Sequence, residues 1–144
     1  MRFRPLIVAA SLLVVVVATQ AALAVPPFAV AFKKEYLDNN EHKEFAEEAC
    51  KAPNSCLVCH QGKSRKNRND FGQRVAKLLT KKDAKNTDKI TSELKKALEM
   101  HVDPKDDKSE TYLDRVKAGK YPVGDLAELK KEPAKSAGEE EEKK

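Results

Sequence analysis

The chain has 144 residues, of which 35% are charged and only 6% are aromatic, and it contains no tryptophan. A small domain of this composition builds a thin hydrophobic core, which domains of this size commonly supplement with a metal, a cofactor or disulfides. The formal net charge of +5 falls to +3 when Arg2 and Arg4 are removed with a predicted leader, so the overall charge does not argue for a nucleic acid or membrane partner.

Residues 1–24 have the three parts of a secretory signal peptide. Arg2 and Arg4 give a positive start, Leu6–Ala18 is a nearly unbroken apolar run, and Ala22-Leu23-Ala24 is an A-x-A cleavage site. The apolar run is shorter than the roughly 20 residues of a membrane span, although an uncleaved N-terminal anchor is the alternative. The sequence therefore predicts an exported protein, which in a bacterium is periplasmic.

Two helices are predicted in the first part of the mature chain. Apolar side chains at a spacing of four predict a helix from about Phe28 to Leu37, and Asp38-Asn39-Asn40 interrupts it. Helix-favouring residues continue over Glu41–Cys50, and Pro53-Asn54-Ser55 ends that helix.

Three further helices are predicted after a polar loop. The first is capped by Asn69 or Asp70 and carries an apolar stripe to Thr80. The second spans Ile90–Val102, because the proline that follows excludes further helix. The third spans Ser109–Gly119, with a capping serine at its start and a glycine at its end.

The predicted mature chain shows no alternating strand pattern and no hairpin turn. The predicted fold class is therefore all-α, with about four to five short helices in one domain over residues 28–122. Residues 123–144 are predicted to hold one short helix, Asp125–Lys131, followed by a disordered charged tail from Glu132.

The most informative stretch is Cys56-Leu57-Val58-Cys59-His60. C-x-x-C-H is the attachment signature of a covalent c-type haem. Each thiol adds across one vinyl group of the porphyrin, and the adjacent histidine then lies close enough to ligate the iron. In bacteria this attachment takes place outside the cytoplasm, so the predicted export and the motif support one another. The motif predicts one covalent haem c.

Two other uses of the same cysteines are open. Cys50, Cys56, Cys59 and His60 together make a Cys₃His zinc set, and the C-x-x-C pair alone is a thiol–disulfide redox motif. The contiguous Cys59-His60 pair makes tetrahedral closure awkward, and a redox motif of the thioredoxin type lies beside a βαβ pattern that is missing here. Cys50 is predicted to be a small buried residue, with an intermolecular disulfide or a reactive thiol as alternatives.

The motif, the helix before it and the export signal resemble a mono-haem cytochrome c domain of bacteria over about Phe28–Pro122. The stretches 62–72 and 117–122 are also similar to an exported subgroup of such proteins. This resemblance implies a small cytochrome c-like domain, thioether bonds at Cys56 and Cys59, and proximal ligation of the iron by His60.

The second axial ligand of the iron has several candidates. Met100 is the sole methionine after the predicted leader, and a family-like arrangement would use its thioether, which raises the reduction potential relative to a second histidine. Helical periodicity favours His101, which shares a face with Ile90, Leu94, Ala97 and Leu98. His42, in a strongly polar setting, and an open position are the remaining alternatives.

The predicted function is electron transfer, without substrate chemistry. Redox partner proteins are expected, and the basic loop Lys63–Arg68 would attract an acidic one if the haem edge is exposed there, a solvated loop being the alternative. A haem-based sensor or a small peroxidase-like enzyme with an open distal site is the competing function.

Overall fold

The computed structural model describes residues 27–133, so the predicted signal peptide and residues 134–144 of the tail lie outside the described part. Residues 27–133 contain no β-strand and only two isolated bridges, His60–Arg68 and His101–Thr111. The predicted all-α class is confirmed. Within that range the seven α-helices are α1 Pro27–Phe32, α2 Lys43–Cys50, α3 Asn54–Leu57, α4 Asp70–Leu78, α5 Thr87–Leu98, α6 Tyr112–Lys117 and α7 Leu126–Leu129.

Two short segments of other helical types complete the secondary structure. A π-helix, Lys33–Leu37, continues α1, and a 3₁₀-helix, Lys81–Lys85, precedes α5. Every helix of the described residues is too short or too polar to cross a bilayer.

Two predicted helix boundaries are wrong, both near the candidate Met100. Helix α5 ends at Leu98, so Met100 and His101 lie on irregular backbone beyond it. Helix α6 is capped by Thr111, because the Thr111 hydroxyl and the Asp114 carboxylate form a reciprocal capping box. The Ser109 hydroxyl, the predicted cap, instead donates to carbonyls of the preceding loop.

The core lies where α4 and α1 pack against α5. A chain of aromatic rings crosses it: Tyr36 and Phe32 lie 5.5 Å apart, Phe32 and Phe71 6.2 Å, and Phe71 and Tyr112 5.3 Å between ring centroids. Phe71 and Tyr112 are fully buried. Buried Asn40 donates to the Val116 carbonyl at 2.9 Å, which ties the segment after α1 to α6.

Helix α7 closes over the loop that follows the C-x-x-C-H motif. The Gly62 amide donates to the Leu129 carbonyl at 2.7 Å. The Glu132 carboxylate accepts from the Lys63 amide at 2.8 Å and from the Asn67 side chain at 2.9 Å. Glu132 therefore belongs with the folded domain, although the sequence predicted it to begin the tail.

Candidate functional site

The motif Cys56–His60 folds as one helical turn. The Cys59 and His60 amides both donate to the Cys56 carbonyl, at 3.2 and 2.9 Å. Helix α3 is held at its start by Asn54, whose amide donates to the Glu48 carboxylate at 2.7 Å. Because the turn is tight, Cys56, Cys59 and His60 all line the same cavity.

Asn69 fastens this turn to α4. Its side-chain amide donates to the carbonyls of Leu57, Val58 and His60 at 3.1, 3.2 and 3.4 Å, while its side-chain oxygen accepts from the Gly72 amide at 2.9 Å. The residue is only 4% exposed. One side chain thus caps α4 and also hydrogen-bonds three carbonyls of the motif.

Gly72 allows α4 to approach the motif backbone. A Cβ atom at this position would lie 1.9 Å from the Cys59 carbonyl oxygen. No side chain other than hydrogen fits that space, so the glycine is required by close packing rather than by an unusual backbone angle.

The cavity has a volume of about 780 Å³, within the range of about 300–1,000 Å³ usual for ligand sites. Helix α1 forms one wall and α4 another, and its apolar lining includes Phe28, Ala29, Val30, Phe32, Leu37, Ala49, Val58, Val75, Ala76, Leu79 and Leu94. A cleft of this size with mostly apolar walls has the usual form of a small-molecule or cofactor site.

Burial at the cavity shifts the pKa values of two motif side chains, Cys59 and His60. Burial raises the pKa of the Cys59 thiol to about 12. Burial also lowers the pKa of the His60 imidazole, against the opposing effect of a hydrogen bond to the Asn67 backbone, and the positive charges of Arg68 and Arg65 lower it further. Both shifts favour the neutral forms, the histidine form that can ligate a metal among them.

Met100 lies outside this cavity, on the other side of α4. Its sulfur is 3.9 Å from an Arg74 guanidinium nitrogen, and its carbonyl accepts from the Tyr112 amide at 3.1 Å. It is not among the residues that line the cavity. Ligation of a haem iron by Met100 stays a prediction, and it would require this side chain to leave its present contacts.

The two alternative histidines also lie elsewhere. The His101 Nδ1 atom is 2.5 Å from the Ser109 carbonyl oxygen, within the loop between α5 and α6. His42 is exposed at the start of α2 and packs beside Gly119. Of the sequence candidates, the structure therefore brings together Cys56, Cys59 and His60 and leaves Met100, His101 and His42 apart from them.

Cys50 lines the cavity from the end of α2 and is half-buried. None of the three cysteines is joined in a disulfide. Within residues 27–133, no group of three or more His, Cys, Asp or Glu side chains could hold a metal ion. The Cys₃His zinc arrangement considered from the sequence is thus not formed.

The cavity and its lining fit a haem. Two thiols and an imidazole open onto one large apolar space, which is the donor set that covalent attachment and axial ligation require. The His60 Nδ1 atom is buried without a hydrogen-bond partner among the described residues, as fits a side chain whose bonding is completed by another group.

Sequence reasoning identified the motif but missed the parts that support it. The sequence predicted that Asn69 or Asp70 caps α4, but it did not predict the bonds from Asn69 to the motif. A glycine inside a helical pattern can indicate close packing, and Gly72 is such a signal.

No family model, curated protein or solved structure matches this chain.

Proposed function

We propose that this chain is an exported, periplasmic c-type haem protein that transfers single electrons between redox partner proteins. Cys56 and Cys59 would bind one haem through thioether bonds, and His60 would ligate its iron. The observation that carries the proposal is the apolar cavity of about 780 Å³ onto which all three side chains open. The resemblance of the motif region to mono-haem cytochrome c domains agrees with it.

The chain's own residues have distinct roles in this proposal. A bound haem supplies one-electron chemistry at its iron. The apolar walls contributed by α1 and α4 would exclude water from the haem. Their contact with it would bury apolar surface in addition to that of the thin core. Asn69 and Gly72 hold the motif against α4, so that the two thiols and His60 keep a common orientation.

Electron transfer is favoured over peroxidase-like catalysis by the chemistry of the lining. General acid–base catalysis at a haem needs a titratable side chain over the reacting position. Apart from His60 itself, the described lining contains no histidine and no Asp or Glu. The cavity thus has apolar walls that suit a carrier, and apart from His60 the ionisable groups of its lining are cysteines, lysines and arginines.

A second candidate function is reversible binding of a small ligand, as in a haem sensor. It is favoured by one observation: Met100, His101 and His42 all lie away from the cavity that His60 lines. Rapid binding of carbon monoxide to the native ferrous protein would favour the sensor, whereas slow or absent binding would favour the carrier.

The test is expression of the full chain with a haem-attachment system, followed by intact mass and visible spectrum. We expect the mass of one added haem and a c-type spectrum. The Cys56→Ser/Cys59→Ser double variant should lose the covalent mass, and Cys50→Ser, the matched control at the same cavity, should keep it. A colourless wild-type protein without added mass would refute the proposal.

A further inference from the structure

The charged side chains at the cavity are all of one sign. Lys33, Arg65, Arg68 and Lys81 line it, and the described lining includes no Asp or Glu. The whole chain nevertheless carries 23 acidic residues against 28 basic ones. Apolar walls with cationic groups at their edge fit a ligand that has an apolar body and anionic substituents.

The four arginines of the described residues fall into two pairs. Arg74 donates to the Tyr112 hydroxyl at 2.9 Å, and Arg115 pairs with Glu110 at 2.7 Å, so both are bound within the fold. Arg65 and Arg68 form no ion pair and donate no side-chain hydrogen bond within residues 27–133. Both are exposed, and both belong to the cavity lining.

The loop that carries Arg65 and Arg68 is nevertheless anchored. The Asn67 carbonyl accepts from the Gln61 amide at 2.9 Å, and the Asn67 amide donates to the Ser64 carbonyl at 3.1 Å. Glu132 holds the same loop through Lys63 and Asn67. The backbone between the two arginines is thus fixed beside His60, while their guanidinium groups stay available.

We propose that Arg65 and Arg68 bind the two propionate carboxylates of the haem that Cys56 and Cys59 attach. This inference rests on the proposed function, since it concerns the same cavity. A guanidinium is a planar fork of donors that matches a carboxylate in two parallel hydrogen bonds, which a lysine cannot reproduce. The anionic groups of the haem thereby meet the unpaired cations at the edge of the cavity.

The pairing has a consequence for the reduction potential. Propionates near the iron carry negative charge, which favours the ferric state. A guanidinium bound to each propionate offsets that charge and keeps the carboxylate ionised over a wider pH range. The arginines therefore raise the potential and reduce its dependence on pH.

The test is a redox titration of the full-length haem-loaded protein as a function of pH. In Arg65→Gln/Arg68→Gln, we expect the equilibrium constant for reduction to fall about tenfold, which for a one-electron couple is 59 mV. The potential should also become more dependent on pH, because the propionates then titrate without their partners. Lys63→Gln/Lys66→Gln is the matched control, with the same loss of charge in the same loop but no residue at the cavity, and its potential should stay close to that of the wild type.

Equal shifts in both double variants would overturn the assignment, because any loop charge would then have the same effect. An unchanged potential with an altered salt dependence of electron exchange with an anionic reductant would also overturn it, since the arginines would then serve an acidic partner. Arg65→Lys and Arg68→Lys keep the positive charge but lose the planar fork of donors, so we expect smaller shifts in reduction potential than in the glutamine variants. The lysine variants also keep the test possible if the glutamine variants fold poorly. A wild-type chain without haem by intact mass would instead refute the proposed function, and the inference with it.

Discussion

Helix α4 separates two regions of the molecule that differ in how completely they are filled. On one side, Gly72, Val75 and Ala76 face the cavity region, an apolar space of about 780 Å³ that Cys56, Cys59 and His60 also line. On the other side, Arg74 faces the Met100 region, formed by Met100 and Tyr112. The first region contains a buried imidazole nitrogen without a partner, whereas in the second region polar groups are paired.

The difference bears on where the proposed haem would bind. In the Met100 region, the Arg74 guanidinium lies over the Tyr112 ring, 5.4 Å from its centroid, and donates a hydrogen bond to its hydroxyl. The side chains of this region thus contact one another directly. In the cavity region, the side chains surround an apolar space of about 780 Å³. A large apolar cofactor would complete the packing of the cavity region, and it would gain nothing in the Met100 region.

The largest loss of stability should come from a substitution that forces α4 and the motif apart. Gly72→Ala places a methyl group 1.9 Å from the Cys59 carbonyl oxygen, so α4 or the motif must move. In an unhindered helix the same change would stabilise by up to about 1 kcal/mol. Here we expect a loss of about 3 kcal/mol or more in the free energy of unfolding, measured by urea denaturation, since overpacking is severe.

Gly124→Ala serves as the control for the glycine substitution. Gly124 has a φ of 58°, and a Cβ there would meet only the flexible Glu128 side chain at 3.0 Å. Its expected cost of about 1 kcal/mol comes from the backbone angle alone. If Gly72→Ala cost no more than Gly124→Ala, the tight contact between α4 and the motif would be refuted.

The second effect concerns the hydrogen bonds that fasten the motif. Asn69→Ala removes a helix cap together with donors to three motif carbonyls, and we expect a loss of about 2–3 kcal/mol. Asn86→Ala is the matched control, an exposed asparagine that caps α5 with a single bond to the Lys89 amide, with an expected loss of about 1 kcal/mol. Equal losses in the two variants, by urea denaturation, would mean that Asn69 acts only as a cap.

Local sequence patterns predicted what is local in this fold. The apolar stripes from Phe28 to Leu37 and from Phe71 onward predict helical faces, and the C-x-x-C-H pattern identifies the candidate site residues directly. The bonds from Asn69 to the motif and the position of Met100 depend on long-range packing, which spacing does not encode. Periodicity extended α5 to Val102, but the chain leaves the helix at Leu98, and that turn directs Met100 toward Arg74.

A third substitution tests the Met100 region directly. Because Met100 lies away from the cavity, we expect Met100→Ala to leave the visible spectrum of the haem-loaded protein unchanged. The free energy of unfolding should fall by about 1–2 kcal/mol, since a half-buried side chain is truncated, and Met100→Leu should cost less. Loss of the weak far-red sulfur-to-iron band in both variants would contradict this and identify Met100 as the axial ligand.

The smallest effect distinguishes two buried tyrosines. The Tyr112 hydroxyl accepts from Arg74, whereas the Tyr121 hydroxyl is buried without a partner among the described residues. We therefore expect Tyr112→Phe to destabilise by about 1 kcal/mol, because it leaves a guanidinium donor unpaired. Tyr121→Phe should be neutral or stabilise by up to about 1 kcal/mol, because a buried unpaired group is removed.

Alkaline pH sharpens the comparison of the tyrosines. Burial raises the pKa of Tyr121 to about 12, above its usual value of 10.0. Below the lower value both the folded and unfolded states keep the proton, and between the two values the unfolded state releases it first, so wild-type stability falls as pH rises through this window. Tyr121→Phe lacks that loss, and its advantage over the wild type should therefore be larger at about pH 11 than at about pH 9 in urea denaturation. If the difference in free energy of unfolding between Tyr121→Phe and the wild type did not change with pH, the pKa of Tyr121 would be the same in the folded and unfolded states. That result would show that the Tyr121 hydroxyl is solvated in the folded protein.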